Sequence, residues 1–180
     1  MNTGRLAARL VIGGLFVGHG LQKLEGAFDG PGIDDTAKMM DEIGMKPGLP
    51  NAYAAALTET AGGAMLVLGA ATPLAAASLI GTMITAIRTV HGKNGPWITN
   101  RGWEYNAVLI AALLAIVDGG PGPISIDAIR RKSHRGPLAM IGALGLGAAA
   151  STLVVELGRA GTPQHIDLTS YEPKHATTAS

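Results

Sequence analysis

Eight side chains in this sequence have the types and spacings that could do chemistry: His19, Gln22, Lys23, Glu59, Arg88, His91, Glu104 and Asn106. Imidazole and carboxylate can pass protons or ligate a metal ion, and the two amides can hold a polar headgroup by hydrogen bonds. The cations can neutralise a carboxylate or polarise an oxygen. His19, Gln22 and Lys23 share one helical face, because residues three and four apart are neighbours on a helix. The others lie far apart in the chain, so the fold must gather them.

The composition says what kind of fold that is. Of 180 residues 47% are hydrophobic and only 15% charged, with 26 glycines, no cysteine and a formal net charge of +1. A soluble domain is typically ~25% charged; a chain this poor in charge cannot easily cover a water-facing surface, and a bilayer removes that need. The absence of thiols excludes cysteine nucleophiles, thiol exchange and cysteine-ligated zinc or iron–sulfur centres. Near-neutral charge without a long basic run leaves no footprint for nucleic acid.

Five apolar helices are expected. The first, 6–24, follows Arg5 and contains Arg9, but no convincing small-x-small cleavage site follows it, so it reads as uncleaved. Between Glu59 and Arg88 lie 28 residues without an acidic residue, lysine or arginine, interrupted by Pro73. Proline starts helices far better than it continues them, which divides this stretch into helices at 51–71 and 73–91 joined by a tight turn. A fourth, at 103–118 and extending toward Arg101, ends at Gly119-Gly120-Pro121-Gly122-Pro123. The fifth, at 137–157, carries the small-residue run from Gly142 to Ala150, suited to close packing or to pairing with another copy. A short amphipathic helix at 34–44, capped by Asp34 or Asp35, should lie at the interface, and the tail from Gly161 reads as flexible.

The expected fold is therefore all-α: an integral membrane four-helix bundle over 1–128, a basic loop and fifth transmembrane helix over 129–160, and a polar tail over 161–180. The cluster Arg130, Arg131, Lys132 and Arg135, with Arg5 and Arg9, places the N-terminus in the cytoplasm of a multi-pass plasma or inner membrane protein. Following the spans alternately up and down brings all eight polar residues to one side, while the opposite halves read as almost wholly apolar. Ionisable groups in a span cost ~2.5–3.5 kcal/mol each on insertion scales, so they pair or face a cavity. A polar pocket in the outer-leaflet half of the bundle is expected, with the fifth helix peripheral. Glu59, two turns into its helix, requires a partner such as Lys23, Arg88 or His19. Lys23 and Arg88, near helix ends, could instead extend to headgroups, and Trp97 and Trp103 suit the interfacial belt.

His19-Gly20-Leu21-Gln22-Lys23-Leu24 closing the first helix, Glu59 with Gly62-Gly63 in the second, His91-x-Lys93-Asn94-Gly95 after the third and Glu104-Tyr105-Asn106 opening the fourth together resemble the DoxX family. The resemblance spans residues 5–127 and implies a small four-helix membrane protein of bacteria or archaea. It implies association with redox enzymes: the family takes its name from a subunit of a membrane-bound quinol oxidase, and related proteins belong to thiosulfate:quinone oxidoreductases. In actinobacteria, similar proteins are linked to a membrane complex of redox-defence enzymes. No catalytic residue carries over.

Three functions follow. In one, the pocket binds a quinone or similar apolar molecule, with His19, His91, Glu59 and Glu104 supplying hydrogen bonds and a proton route and no cofactor held covalently. In another, the chain is a non-enzymatic scaffold for an oxidoreductase complex. The third is metal binding by His19, Glu59, His91 and Glu104, which have suitable side-chain types but lack the Glu-x-x-His spacing of di-iron bundles.

Overall fold

The computed structural model describes residues 3–131 and 134–161. All regular structure among them is helical: α1 (Thr3–Glu25), α2 (Gly32–Glu42), α3 (Gly48–Leu68), α4 (Thr72–Ala86), α5 (Glu104–Gly119), the single turn α6 (Ile126–Ile129) and α7 (Pro137–Ala160). The five expected long helices are present. The expected flexible tail lies outside the described residues apart from Gly161, as do Lys132 and Ser133 of the basic loop.

α1, α3, α4 and α5 form the bundle, with α2 against α1 and α3 and with α7 along α4 and α5. Glycine permits the closest crossings. Arg9, Gly13, Phe16 and Gly20 form the buried stripe of α1. A Cβ on Gly13 would lie 2.7 Å from the Gly63 carbonyl oxygen, and one on Gly63 would lie 2.6 Å from that of Gly13. α7 repeats the device: Ala143, Gly147, Ser151 and Val155 recur every four residues on its buried face, and a Cβ on Gly147 would approach the Ala77 oxygen of α4 to 2.8 Å. Such close backbone approach favours helix pairing wherever the surroundings are apolar. Between these seams Phe16, Leu66, Leu79, Ile80, Leu113 and Val117 fill the core.

The turn from α3 to α4 explains a polar feature absent from the sequence reading. α3 ends on Gly69 at φ 61°, whose N–H donates to the Leu66 carbonyl while that of Ala70 donates to Met65, the left-handed cap that glycine favours. Pro73 then opens α4 as expected. No residue of the turn caps α4; Asp127 does so from α6, accepting from Ala71 N at 2.7 Å and from Thr72 N and Oγ1 at 2.8 Å. Arg9, 1% exposed, caps the other side of the turn: it donates to the carbonyls of Leu66 (2.9 Å), Val67 (2.7 Å) and Ile124 (3.0 Å), and to that of Pro121. A cation at a helix C-terminus and a carboxylate at a helix N-terminus each satisfy orphan backbone groups and match the helix dipole. The half of the bundle expected to be almost wholly apolar therefore contains a buried polar knot.

Other boundaries shift for local reasons. α5 begins at Glu104 rather than extending toward Arg101, which sits at φ 59° in the loop. α2 begins at Gly32, placing Asp34 and Asp35 in its first turn rather than at the cap. By length and apolarity, two helical stretches can cross a membrane unaided: Thr72–Asn94 and Pro137–Ala160. α1 carries Arg5, Arg9, Lys23 and Glu25, and α5 has 16 residues against the ~20 of a typical span. The expectation of five spans thus narrows to two on this measure. In α7 only 22% of the most apolar window is buried, so this helix presents its apolar side outward and requires an apolar medium or partner.

Candidate functional site

A cavity of about 430 Å³ opens between α1, α3, α4 and α5 at the end of the bundle away from the Arg9 and Asp127 knot. Phe16, His19 and Lys23 of α1 and Glu59 of α3 line it, with Met83 and His91 from α4 and its continuation and Tyr105 and Asn106 from α5. α2 and the loop after it cover the space with Met39, Met40, Ile43 and Met45. The helical turn after α4, Ile87–His91, is π-wound, a widening of the backbone ladder often found at functional sites.

The charged centre is an ion pair. Lys23 Nζ donates to Glu59 Oε2 at 2.5 Å, with the carboxylate side chain 6% and the lysine 21% exposed. The same ammonium donates to the His19 carbonyl at 3.3 Å. Burial of two charges is tolerable only because each neutralises the other. Glu59 therefore finds its partner in Lys23, one of the three foreseen.

His91 Nδ1 lies 2.8 Å from the Arg101 carbonyl oxygen. A carbonyl only accepts, so Nδ1 carries the proton, and in the neutral ring Nε2 is left as an acceptor. The loop after Gly95 holds that carbonyl in place: Gly102 N donates to Trp97 O, and Trp103 N to Gly95 O. His19 is exposed and meets the Gln22 amide oxygen through Nδ1 at 3.0 Å. Asn106, 5% exposed, donates to Met83 Sδ at 3.4 Å. A thioether is a weak acceptor, so a stronger one entering the cavity would be a better partner for this amide.

The sequence-selected residues divide accordingly. His19, Lys23, Glu59, His91 and Asn106 line the cavity, and Gln22 is one hydrogen bond away on His19. Arg88 faces α7, donating to Thr152 Oγ1 at 3.2 Å and lying 3.7 Å from the Glu156 carboxylate. Glu104 accepts from Ile98 N at 2.8 Å and ties down the loop before α5. The four-ligand metal set therefore does not assemble, and among the described residues no three imidazole, carboxylate or thiolate groups gather around a common point.

Sequence reasoning missed the methionines and the threonine stripe that runs along α4 into the turn after it. Four of the seven methionines wall this one cavity; in the sequence they are indistinguishable from ordinary core residues. Thr82, Thr85 and Thr89 recur at helical spacing, a pattern visible in the sequence. Each hydroxyl donates to the carbonyl four residues back, at 3.2, 2.9 and 2.9 Å, so the stripe adds polarity without unsatisfied groups.

Comparison with known proteins places these residues in a family. The DoxX family model matches residues 4–92, which include α1 to α4 and both members of the Lys23–Glu59 pair. A protein of Bacillus subtilis (strain 168) named "Putative oxidoreductase CatD" is 31% identical over 113 residues, which cover 63% of this chain and 78% of the relative. No solved structure matches the chain. With the matching model spanning the helices that carry the ion pair, and the relative covered over most of its length, the chain belongs to the DoxX family.

Proposed function

We propose that this protein is a membrane subunit associated with an oxidoreductase, and that it binds a quinone or a similar apolar ring compound in the cavity between α1, α3, α4 and α5. The observation that carries this reading is the lining: a mainly apolar space of about 430 Å³, softened by methionines, with Lys23, Glu59, His91 and Asn106 at its wall. Ligand sites have this character, a large apolar surface with a few placed polar groups. A quinone carbonyl accepts hydrogen bonds, which the Lys23 ammonium and the Asn106 amide donate. Reduction to the quinol takes two electrons and two protons. Glu59 and the histidines stand where protons would pass. The chain has no cysteine, so no thiol of its own relays electrons; they come from a partner oxidoreductase. The name of the Bacillus subtilis relative points to the same class of chemistry. The decisive experiment is titration of a short-tailed quinone into the detergent-purified protein. Saturable binding that weakens in His19→Ala and is lost in Asn106→Leu supports the reading; no saturable binding, with His19→Ala and wild type alike, overturns it.

A second reading, a non-enzymatic scaffold for such a complex, is favoured by α7, whose Leu138, Ile141, Leu146, Leu153 and Leu157 are all exposed. Recovery of an oxidoreductase in fixed ratio with the purified protein, without bound small molecule, would select it. Both readings place the chain as a multi-pass protein of the plasma or inner membrane with α1 entering from the cytoplasm.

A further inference from the structure

At the end of the bundle away from the cavity, two recesses meet at Arg135. One, about 710 Å³, is an apolar groove between the start of α4 and the first half of α7, walled by Leu74, Leu138 and Leu146. The other, about 380 Å³, lies beside the glycine- and proline-rich loop and is bordered by Arg5, Arg131 and Arg135. The helices flanking the groove belong to the two stretches that are long and apolar enough to cross a membrane. Its walls are nevertheless open, Leu138 being 86% and Leu146 62% exposed.

The charge at this end is unbalanced. Among the described residues, Arg131 and Arg135 form neither an ion pair nor a side-chain hydrogen bond. The Asp127 carboxylate, which could have served them, is buried and occupied by Ala71 and Thr72. α7 begins at the same place with Pro137 and runs for 24 residues. The first-turn N–H groups of such a helix lack intrahelical acceptors and carry the positive end of its dipole. Two unpaired guanidinium groups and a helix N-terminus at the head of an apolar groove form a surface complementary to one negative charge attached to a hydrocarbon chain.

We infer that this is a binding site for an anionic glycerophospholipid, with its phosphodiester held by Arg131, Arg135 and the first turn of α7 and one acyl chain lying between α4 and α7. The site requires α4 and α7 to lie in a bilayer, but it is independent of what occupies the cavity at the opposite end. Gly142 gives the groove its depth, since a Cβ there would meet nothing within 4 Å.

The test uses the full chain in neutral detergent, with native mass spectrometry and thermal unfolding read against added phosphatidylglycerol, phosphatidylcholine of the same acyl chains, and inorganic phosphate. The wild type should bind phosphatidylglycerol more tightly than phosphatidylcholine and should be stabilised by it, with inorganic phosphate having no effect at equal concentration. A basic residue near a lipid surface contributes ~1 kcal/mol, so neutralising two in an Arg131→Gln, Arg135→Gln double variant should weaken phosphatidylglycerol roughly thirtyfold, to the level of phosphatidylcholine. Gly142→Trp keeps both charges and fills the groove, so it should weaken both lipids. Equal binding of the two lipids by wild type, undiminished preference in the double variant, full binding in Gly142→Trp, or stabilisation by free phosphate equal to that by lipid would each overturn the assignment. Quinone titration of the same variants should be unchanged, so failure here is distinguishable from failure of the cavity reading.

Discussion

Lys23 and Glu59 illustrate how much one side chain depends on its partner. In the sequence, Glu59 is a lone carboxylate within an apolar helix; in the fold its Oε2 is 2.5 Å from Lys23 Nζ. Removing one member of a buried pair costs more than the pair is worth, ~3–5 kcal/mol for full burial, because the other charge is stranded. Lys23 keeps 21% exposure and can turn partly toward solvent, so Glu59→Gln should cost less, about 2 to 3 kcal/mol. Adding Lys23→Met should recover much of that loss while leaving the cavity without its cation. Equilibrium unfolding of the three variants in micelles measures this directly, and a Glu59→Gln protein as stable as wild type would mean the pair is dispensable. The other candidates show the limits of residue type as a guide. Arg88 and Glu104 have the same chemistry as Lys23 and Glu59, yet one serves α7 and the other a loop, because the direction of a side chain is set by the helical face on which it falls.

Among the elements, helix boundaries were legible because glycine and proline mark them through φ alone. Pro73 does open α4, and the Gly119–Pro123 run does end α5. The small-residue stretch of α7 is a packing surface over part of its length: Gly147 meets α4, whereas Gly142 and Gly145 meet nothing within 4 Å. The same contrast on α1 yields a sharp prediction. Gly13 faces the Gly63 carbonyl and Val67, while its neighbour Gly14 faces open space. Gly13→Ala must push α1 and α3 apart and should destabilise by ~1–3 kcal/mol. Gly14→Ala should be neutral or slightly stabilising, since alanine is the better helix former by up to ~1 kcal/mol. Thermal unfolding of both variants side by side checks the crossing; equal effects would show that α1 and α3 do not pack through Gly13.

At the scale of the whole molecule, polarity is arranged at two ends with different purposes. One end gathers His19, Lys23, Glu59, His91 and Asn106 around a cavity. The other spends Arg9 on backbone carbonyls and Asp127 on the Ala71 and Thr72 N–H groups and the Thr72 hydroxyl, closing the α3 to α4 turn. The cysteine-free sequence makes orientation testable without background. With the N-terminus cytoplasmic, a single cysteine at Phe28, 74% exposed in the loop after α1, should react in intact cells with an impermeant maleimide. One at Ile129, 81% exposed beside the basic loop, should react only after the membrane is opened. The reverse pattern would invert the topology, and labelling of both positions in intact cells would exclude a cytoplasmic basic loop.

By itself the sequence determined that this chain is helical, that its charges are few and unevenly placed, which five long helices it forms and where Pro73 and the Gly119–Pro123 run divide them, and to which family its motifs are similar. These are local or additive properties, carried by periodicity, by glycine and proline, and by composition. Only the tertiary structure decided which polar residues share a space. It turned Arg88 and Glu104 away from the cavity, brought four methionines into it, and assigned Arg9 and Asp127 to capping helices distant in the chain. The reason is physical: a side chain's role depends on the angle and depth at which its helix crosses its neighbours, which is fixed by contacts such as Gly13 against Gly63. Two cations on different helices, Lys23 and Arg88, therefore face a cavity and a neighbouring helix respectively.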